Sequence, residues 1–222
     1  NVGTTPVQNI GAYGTEIKDT FVSCQAITIE NQEIKSFLKE ECNFGYRESI
    51  FKNDAKDQYI ITSVVFKLTK KNHKINSSYG DIAAELAKNN RTEPTLKDVS
   101  NAVISIRRSK LPDPKELGNS GSFFKNPILL KSDFEKIYQQ FPEMKYYEIS
   151  ETEVKVPAGW LIEQAGFKGK RFGDAGIHKN QALVLVNYGN ATGAEILNVS
   201  KDIQETVFKK FGIHIEAEVN VI

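Results

Sequence analysis

Apolar and polar positions in the first half of the chain predict two strands and two helices. Residues 21–29 and 59–69 are rich in β-branched and aromatic side chains, which favours strands. The apolar centre of the second run predicts burial on both faces. Residues 81–88 favour a short helix. Residues 95–108 predict a longer helix, because four apolar residues recur at positions i, i+3, i+4 and i+7: Val99, Ala102, Val103 and Ile106.

The second half alternates helices and strands. Ser132-Asp-Phe-Glu135 and Thr192-Gly-Ala-Glu195 match the capping-box pattern, which predicts helices over 133–141 and 193–211. The other predicted elements are a hairpin over 145–149 and 154–156, a short helix over 158–165 and a buried strand over 183–187.

Two features of the pattern indicate how the chain is divided. Leu111-Pro-Asp-Pro-Lys115 ends the helix before it, because proline has no amide hydrogen and restricts its predecessor. A glycine-rich stretch follows, so a domain boundary is predicted near residues 111–118. Residues 213–221 alternate between apolar and polar, which predicts a strand with Glu216, Glu218 and Asn220 on one face. The predicted fold class is α+β.

Composition narrows the classes of function. Among 222 residues, 29 Lys and Arg nearly balance 28 Asp and Glu, so the basic excess typical of nucleic-acid binding is missing. The longest apolar run, residues 182–186, is too short to span a membrane. Cys24 and Cys42 are expected as reduced, buried thiols. Three scattered histidines predict no metal site.

Several segments could carry chemistry, and each also has an ordinary structural explanation. The glycine-rich residues 3–14 could let a planar or phosphorylated ligand approach the backbone, or could simply form turns. Arg47 lies among aromatic residues, where its fork could hold a carboxylate or could lie over the rings at the surface. The Arg107-Arg-Ser-Lys110 run could bind phosphate or complement a helix dipole.

Ser122 and Glu218 are the remaining candidates. Glycines on its N-terminal side leave the Ser122 hydroxyl approachable, and no Gly-x-Ser-x-Gly motif or recognisable triad indicates a hydrolase. That hydroxyl could donate a proton to a carbanion, or could cap a neighbouring loop. Glu218 could face a ligand or belong to a solvated strand face.

Seven segments in this order resemble the UDP-N-acetylenolpyruvoylglucosamine reductases: VGTTPVQNIGAYG, CNFGYRESIFK, SSYGDI, RRSKLPDPKELGNSGSFFKNP, AGWLIEQAGFKG, HKNQALVLVN and IEAEV. The resemblance covers residues 2–221. It implies an enzyme of peptidoglycan synthesis that passes hydride from NADPH through FAD to UDP-N-acetylglucosamine enolpyruvate. It also implies that Ser122 is the proton donor and that Arg47 and Glu218 flank the charge that develops on the substrate.

The resemblance implies further binding residues. Those expected to line the flavin are Thr4, Pro6, Val7, Gln8, Ile10, Gly11 and Arg107. Those expected to contact the substrate are Tyr79, Lys110, Asn126 and Gln181.

The resemblance also implies an organisation. Residues 1–111 are expected to form the C-terminal part of a vanillyl-alcohol-oxidase-type FAD-binding domain. Residues 112–211 are expected to form an α+β substrate-binding domain, and residues 212–222 to return to the flavin side. A cytoplasmic monomer without nucleic-acid, membrane or metal partners is expected. The first residues, which lack an initiator Met, indicate a fragment or processed chain without the family's N-terminal segment.

Two alternatives stay open. The chain could belong to another flavin oxidase of the same fold, acting on a small alcohol. It could also be a non-catalytic module that binds a nucleotide sugar.

Overall fold

The fold is given by a computed structural model that describes residues 2–88 and 93–221. The chain divides into two compact units, one up to Val103 and one from Ile104. Helices and antiparallel strands occur in both units, so the α+β prediction is confirmed at the level of a mixed fold.

The first unit is built on a three-stranded antiparallel sheet. Its short opening hairpin is formed by β1 (Gly11–Ala12) and β2 (Thr15–Glu16). The sheet contains β3 (Phe21–Thr28), β4 (Ile34–Leu38) and β5 (Tyr59–Phe66), in the order β4-β3-β5. The two strands predicted from the sequence, β3 and β5, are confirmed, whereas β4 was not predicted.

One face of this sheet carries the core of the first unit. Cys24 on β3 pairs with Phe37 on β4 and Val64 on β5, which places all three on the buried side. The buried members of this core are Phe21, Cys24, Ala26, Phe37, Cys42, Phe51 and Ala55. The two cysteines are free and buried, as predicted. Their mutual hydrogen bond lowers the pKa of Cys24 and, with burial, raises the pKa of Cys42.

The prediction that β5 is buried on both faces is wrong. Ile60 is 59% exposed and Val65 is 50% exposed. The core lies on the opposite side of the sheet, so these side chains stay open to solvent in the first unit.

Two helices follow the sheet. Helix α1 (Ile82–Lys88) and helix α2 (Leu96–Lys110) confirm both helix predictions in the first half. Ala102 and Ile106 on the predicted apolar face of α2 are buried. The helix ends one residue before the predicted Leu111-Pro break, and it continues past Val103 into the second unit.

In its described residues, the second unit contains two antiparallel sheets and three helices besides the end of α2. Its strands are β6 (Gly118–Ser122), β7 (Ile128–Leu130), β8 (Tyr147–Glu148), β9 (Glu153–Lys155), β10 (Arg171–Phe172), β11 (Ala175–Ile177) and β12 (Val184–Asn187). One sheet has the order β10-β11-β12-β6 and the other β7-β9-β8. The helices are α3 (Lys131–Tyr138), α4 (Ala158–Gln164) and α5 (Gly193–Phe211). The predicted hairpin, the predicted strand near 183–187 and the three predicted helices are confirmed.

Helix α5 organises the core of the second unit. Its residues Val199, Ile203, Val207 and Phe211 are buried at four-residue spacing, which is the period of one helix face. The helix contacts β11, β12 and α4. The Thr192 capping box is confirmed: Thr192 Oγ1 accepts from the Glu195 amide at 3.3 Å, and a Glu195 oxygen accepts from the Thr192 amide at 2.7 Å.

In the second unit, one strand was not predicted and two local predictions are wrong. The glycine-rich residues Gly118–Ser122 form a strand although their strand propensity is low, because β12 supplies their hydrogen-bonding partner. Helix α3 begins at Lys131, so Ser132 lies inside the first turn and caps nothing. Burial alternates only over residues 213–216, and the segment up to residue 221 forms an isolated bridge, between Ala217 and Phe124, in place of the predicted strand.

Candidate active site

In the first unit, the glycine-rich opening loop (residues 3–14) is tied to the turn that carries Arg47. This turn, named here the Arg47 turn, spans residues 45–48 and is closed by reciprocal backbone hydrogen bonds between Gly45 and Glu48, at 3.0 and 3.3 Å. Ser49 follows it and donates its hydroxyl to the Val7 carbonyl at 2.6 Å. Hydrogen bonds between the two segments join residues that are 36 and 42 positions apart in sequence, so the fold ties the segments together.

The Arg47 guanidinium has a defined position. Its Nη2 donates to the Gly11 carbonyl at 2.6 Å, and the guanidinium lies 5.1 Å from the centre of the Tyr46 ring. The Arg47 backbone has a φ of +59°, a left-handed conformation that costs free energy in any residue except glycine. A Cβ on Gly11 would approach Arg47 Nη1 to 3.2 Å, so the arginine packs closely against this glycine.

In the second unit, Ser122 and Glu218 lie on adjacent backbone segments. The Glu218 amide donates to the carbonyl of Phe123, which follows Ser122, at 2.7 Å. The bridge between Phe124 and Ala217 continues this pairing. Ser122 is exposed and Glu218 is half-buried, so the hydroxyl is accessible and the carboxyl is partly removed from water.

A β-bulge sets the direction of Ser122. Strand β6 uses three steps, from Asn119 to Ser122, where β12 uses two, from Val186 to Val184. The extra residue leaves Gly121 with a φ of +77°. Bulges of this kind turn the following side chain and are frequent beside active sites. The Asn119 side chain accepts from the Gly121 amide at 3.0 Å and holds the bulge in place.

Asn126 and Gln181, both predicted to contact substrate, meet at the start of α4. Asn126 Oδ1 accepts from the Ala158 amide at 2.9 Å, so this side chain has a structural partner. Gln181 Oε1 lies 3.6 Å from the position that a Cβ would take on Gly159. The fold therefore brings together two residues that are 55 positions apart in the printed sequence.

The other predicted substrate residues lie apart from that pair. Tyr79 belongs to the first unit, is 46% exposed and contacts Tyr13 edge to face, with 6.5 Å between ring centres. Lys110 is exposed at the end of α2, in the second unit.

Arg107 lines a cavity of about 440 Å³ in the second unit. Arg108 and His178 belong to the same wall. The Nδ1 atom of His178 is buried and has no hydrogen-bond partner.

The predicted flavin residues of the opening loop differ in exposure. Thr4 and Ile10 are exposed, Val7, Gln8 and Gly11 are half-buried, and Pro6 is buried. Some of these residues therefore lie on the surface of the loop, and others lie where the loop packs against the rest of the first unit. Arg107 is the one predicted flavin residue in the second unit.

Three polar residues of these sites were not predicted from the sequence. Asn9 and Ser49 are almost completely buried polar residues of the first unit, and Asn119 holds the bulge before Ser122. Their roles depend on contacts with distant segments or on a bulge, neither of which leaves a periodic signal. The asparagine inside the NIGAYG motif was the available clue, because asparagine tolerates left-handed turns.

Two classes of site are not found in the described ranges. Residues 2–88 and 93–221 contain no group of three or more His, Cys, Asp or Glu side chains able to hold a metal ion. In the same ranges, every helix falls short of the length and apolar character needed to cross a membrane.

Comparison with known proteins decides the family. The family model described as UDP-N-acetylenolpyruvoylglucosamine reductase, C-terminal domain, matches residues 113–222. A UDP-N-acetylenolpyruvoylglucosamine reductase from Flavobacterium johnsoniae is 85% identical over 222 residues, which is 100% of this chain. The chain belongs to the UDP-N-acetylenolpyruvoylglucosamine reductase family.

The likeness to other reductases of the family is broad. One from Pseudomonas putida is 47% identical over 220 residues, 99% of this chain. The crystal structure of the enzyme from Thermus caldophilus matches with a TM-score of 0.61 at 23% identity, covering 99% of this chain and 59% of that one. At this identity the match supports the fold alone. The chain spans 66% of the Flavobacterium reductase and 64% of the Pseudomonas reductase, about two thirds of their length.

Proposed function

We propose that this chain contributes the substrate-reducing site of an enzyme that converts UDP-N-acetylglucosamine enolpyruvate to UDP-N-acetylmuramate, with FAD and NADPH. The observation that carries the proposal is the 2.7 Å hydrogen bond from the Glu218 amide to the Phe123 carbonyl. This hydrogen bond joins the backbone of Glu218 to the segment that carries Ser122. That pairing suits a site that must protonate a carbon atom next to a carboxylate.

The residues present fit a flavin. The opening loop exposes the apolar side chain of Ile10 and the hydroxyl-bearing Thr4, which suits a planar ring with polar edges. We propose that Pro6, Val7, Gln8, Gly11 and Arg107 complete this contact. The chemistry that FAD supplies when bound is hydride transfer from NADPH to the β-carbon of the enolpyruvyl group.

The three candidate catalytic side chains then have distinct tasks. Ser122 donates a proton to the α-carbon, and Arg47 balances the negative charge that develops on the adjacent carboxylate. Glu218 assists only while it is protonated or hydrogen-bonded to the substrate, because a bare carboxylate would repel that charge. Lys110 suits a phosphate as a point charge, and Asn126 and Gln181 suit the polar edge of a nucleotide.

We further propose the domain roles that accompany this function. Residues 1–111 would form part of a vanillyl-alcohol-oxidase-type FAD-binding domain, residues 112–211 the substrate domain, and residues 212–222 a return to the flavin side. The end of α2 at Lys110 and the start of the family match at residue 113 support this division. Tyr79, exposed on its loop, would close over the nucleotide diphosphate.

The test compares two proteins. One is this chain, and the other is the Flavobacterium johnsoniae reductase with its matching two thirds replaced by this chain. We expect the second protein to bind FAD and to oxidise NADPH beyond one equivalent per flavin only when UDP-N-acetylglucosamine enolpyruvate is present, with UDP-N-acetylmuramate detected by mass spectrometry.

The alternatives give different results. Continuous NADPH oxidation that does not depend on the enolpyruvyl substrate, or oxygen consumption with a small alcohol, would favour a flavin oxidase. Binding of the nucleotide sugar without NADPH oxidation in either protein would favour a non-catalytic module. Either result overturns the proposal.

A further inference from the structure

Asn9 is a completely buried polar residue whose side chain makes three hydrogen bonds. Its Nδ2 donates to Glu16 Oε2 at 2.9 Å and to the Gly45 carbonyl at 2.8 Å. Its Oδ1 accepts from the Lys18 amide at 3.0 Å. Both amide hydrogens and one oxygen lone pair are therefore used, and the partners belong to two segments, one with Glu16 and Lys18 and one with Gly45.

Two of these contacts, those with Gly45 and Glu16, support backbone that holds Arg47. Gly45 is the base of the Arg47 turn, because it pairs with Glu48 through two backbone hydrogen bonds. Glu16 lies on β2 directly opposite Gly11 on β1. Gly11 is in turn the residue whose carbonyl accepts from Arg47 Nη2. The Asn9 side chain thus joins the backbone of the Arg47 turn to the strand pair that receives the guanidinium.

The backbone of both residues gives a second, independent reason to connect them. Asn9 has a φ of +44° and Arg47 a φ of +59°, so two non-glycine residues adopt left-handed conformations at one junction. Such conformations persist only where the surrounding contacts fix them, and they are concentrated at functional sites. The Asn9 hydrogen bonds, with that of Ser49 to Val7, are contacts that fix this junction.

We propose that Asn9 is a positioning residue that acts through Arg47 during substrate reduction. This proposal rests on the proposed function, in which the guanidinium meets a carboxylate as its charge grows. Charge stabilisation of this kind depends on preorganised geometry, and a displacement of about 1 Å costs about 100-fold in rate. Asn9 itself does not contact the reacting atoms in this scheme.

The chain provides a matched control for substitution. Asn43 has the same φ of +44° as Asn9, but its side chain is exposed. Asn9→Gly and Asn43→Gly therefore make the same chemical change at the same backbone conformation, which glycine adopts without strain. Asn9→Asp is a second probe, because it keeps the shape and the acceptor for Lys18 but removes both donated hydrogen bonds.

The first measurement is a double-mutant cycle on kcat/KM for the enolpyruvyl substrate. We expect Asn9→Gly and Asn9→Asp to lower kcat/KM by about 10- to 100-fold, and Asn43→Gly to change it less than about twofold. In an Arg47→Lys background, we expect Asn9→Gly to add less than about twofold, because residues that act through one group are not additive. Additive losses overturn the proposal, since they indicate a general structural role.

The second measurement does not need activity and uses this chain alone. The ¹⁵N relaxation of the Arg47 guanidinium, assigned with Arg47→Lys, reports whether the side chain is rigid. We expect it to become mobile in Asn9→Gly and Asn9→Asp, and to stay rigid in Asn43→Gly. An equally rigid Arg47 in both Asn9 variants overturns the inference, whether or not the proposed reaction is observed. A wild-type protein without turnover counts against the proposed function only.

Discussion

Ser122 connects the local structure of the second unit to the proposed chemistry. The exposed Ser122 follows the bulge at Gly121. The next residue, Phe123, accepts a backbone hydrogen bond from Glu218. We expect Ser122→Ala to leave reduction of the flavin by NADPH nearly intact and to lower turnover of the enolpyruvyl substrate by about 10²- to 10⁴-fold, the usual contribution of a general acid. Stopped-flow absorbance of the flavin separates the two half-reactions. Ser120→Ala, on the same strand, is the control, and an equal loss in both half-reactions would contradict the proton-donor role.

His178 makes a separate residue-scale prediction about pH. Burial, and then the neighbouring Lys179, lower the pKa of His178 from the ordinary value of about 6.5. The unfolded chain therefore binds a proton at this histidine more readily than the folded chain does. The stability that neutral His178 contributes is fully present above about pH 6.5 and is lost as pH falls below that value. We expect His178→Gln to flatten this dependence between about pH 7.5 and pH 5, measured by urea unfolding. His214→Gln, at an exposed histidine, should retain the slope.

At the scale of the element, the N-terminus of α5 allows a prediction about stability. Thr192 and Glu195 satisfy each other's exposed amides, and hydrogen bonds from Thr192 lower the pKa of Glu195. We expect Thr192→Ala to cost about 1 kcal/mol in the free energy of unfolding, the usual cost of losing an N-cap. Ser132→Ala matches the same sequence pattern without capping α3, and it should stay within about 0.5 kcal/mol. Similar losses in both variants would contradict the assignment of the two helix starts.

A comparison of predicted and observed helices and strands shows which elements could be recognised from the sequence. Periodicity located α2 well, because a buried stripe at helical spacing depends on the segment alone, and the capping box at Thr192 located the start of α5. It missed β6 and β4, because strand formation there depends on partners elsewhere in the chain. A capping box is also ambiguous when, as at Ser132, the helix begins two residues earlier than the pattern predicts.

The candidate site was predictable only in part, and for a physical reason. Arg47, Ser122 and Glu218 were indicated by residue type and by resemblance to a family. The contacts that hold the segments of Arg47 and Ser122 come from Asn9, Ser49 and Asn119, whose partners lie in other segments or in a bulge. Such contacts follow from the three-dimensional path of the chain, and no local pattern encodes them.

At the scale of the whole molecule, the sheet formed by β3, β4 and β5 has one face that exposes apolar side chains to solvent in the first unit. Ile27 on β3 pairs with Ile34 and Ile60, so these three side chains share one face. Ile34 is 70% exposed and Ile60 is 59% exposed. Contiguous apolar surface of this kind promotes dye binding and association.

We therefore expect the isolated chain to bind the dye ANS and to sediment faster as its concentration rises. The double variant Ile34→Lys with Ile60→Lys should reduce both effects, while the free energy of unfolding changes by less than about 1 kcal/mol, because neither side chain belongs to the core. Leu68→Lys is the control, since Leu68 is 72% exposed but lies outside the sheet. If the control reduces dye binding as strongly as the double variant, the sheet face is not the surface responsible. A large loss of stability in the double variant would instead mean that this face is covered in solution, because lysine then replaces buried isoleucine.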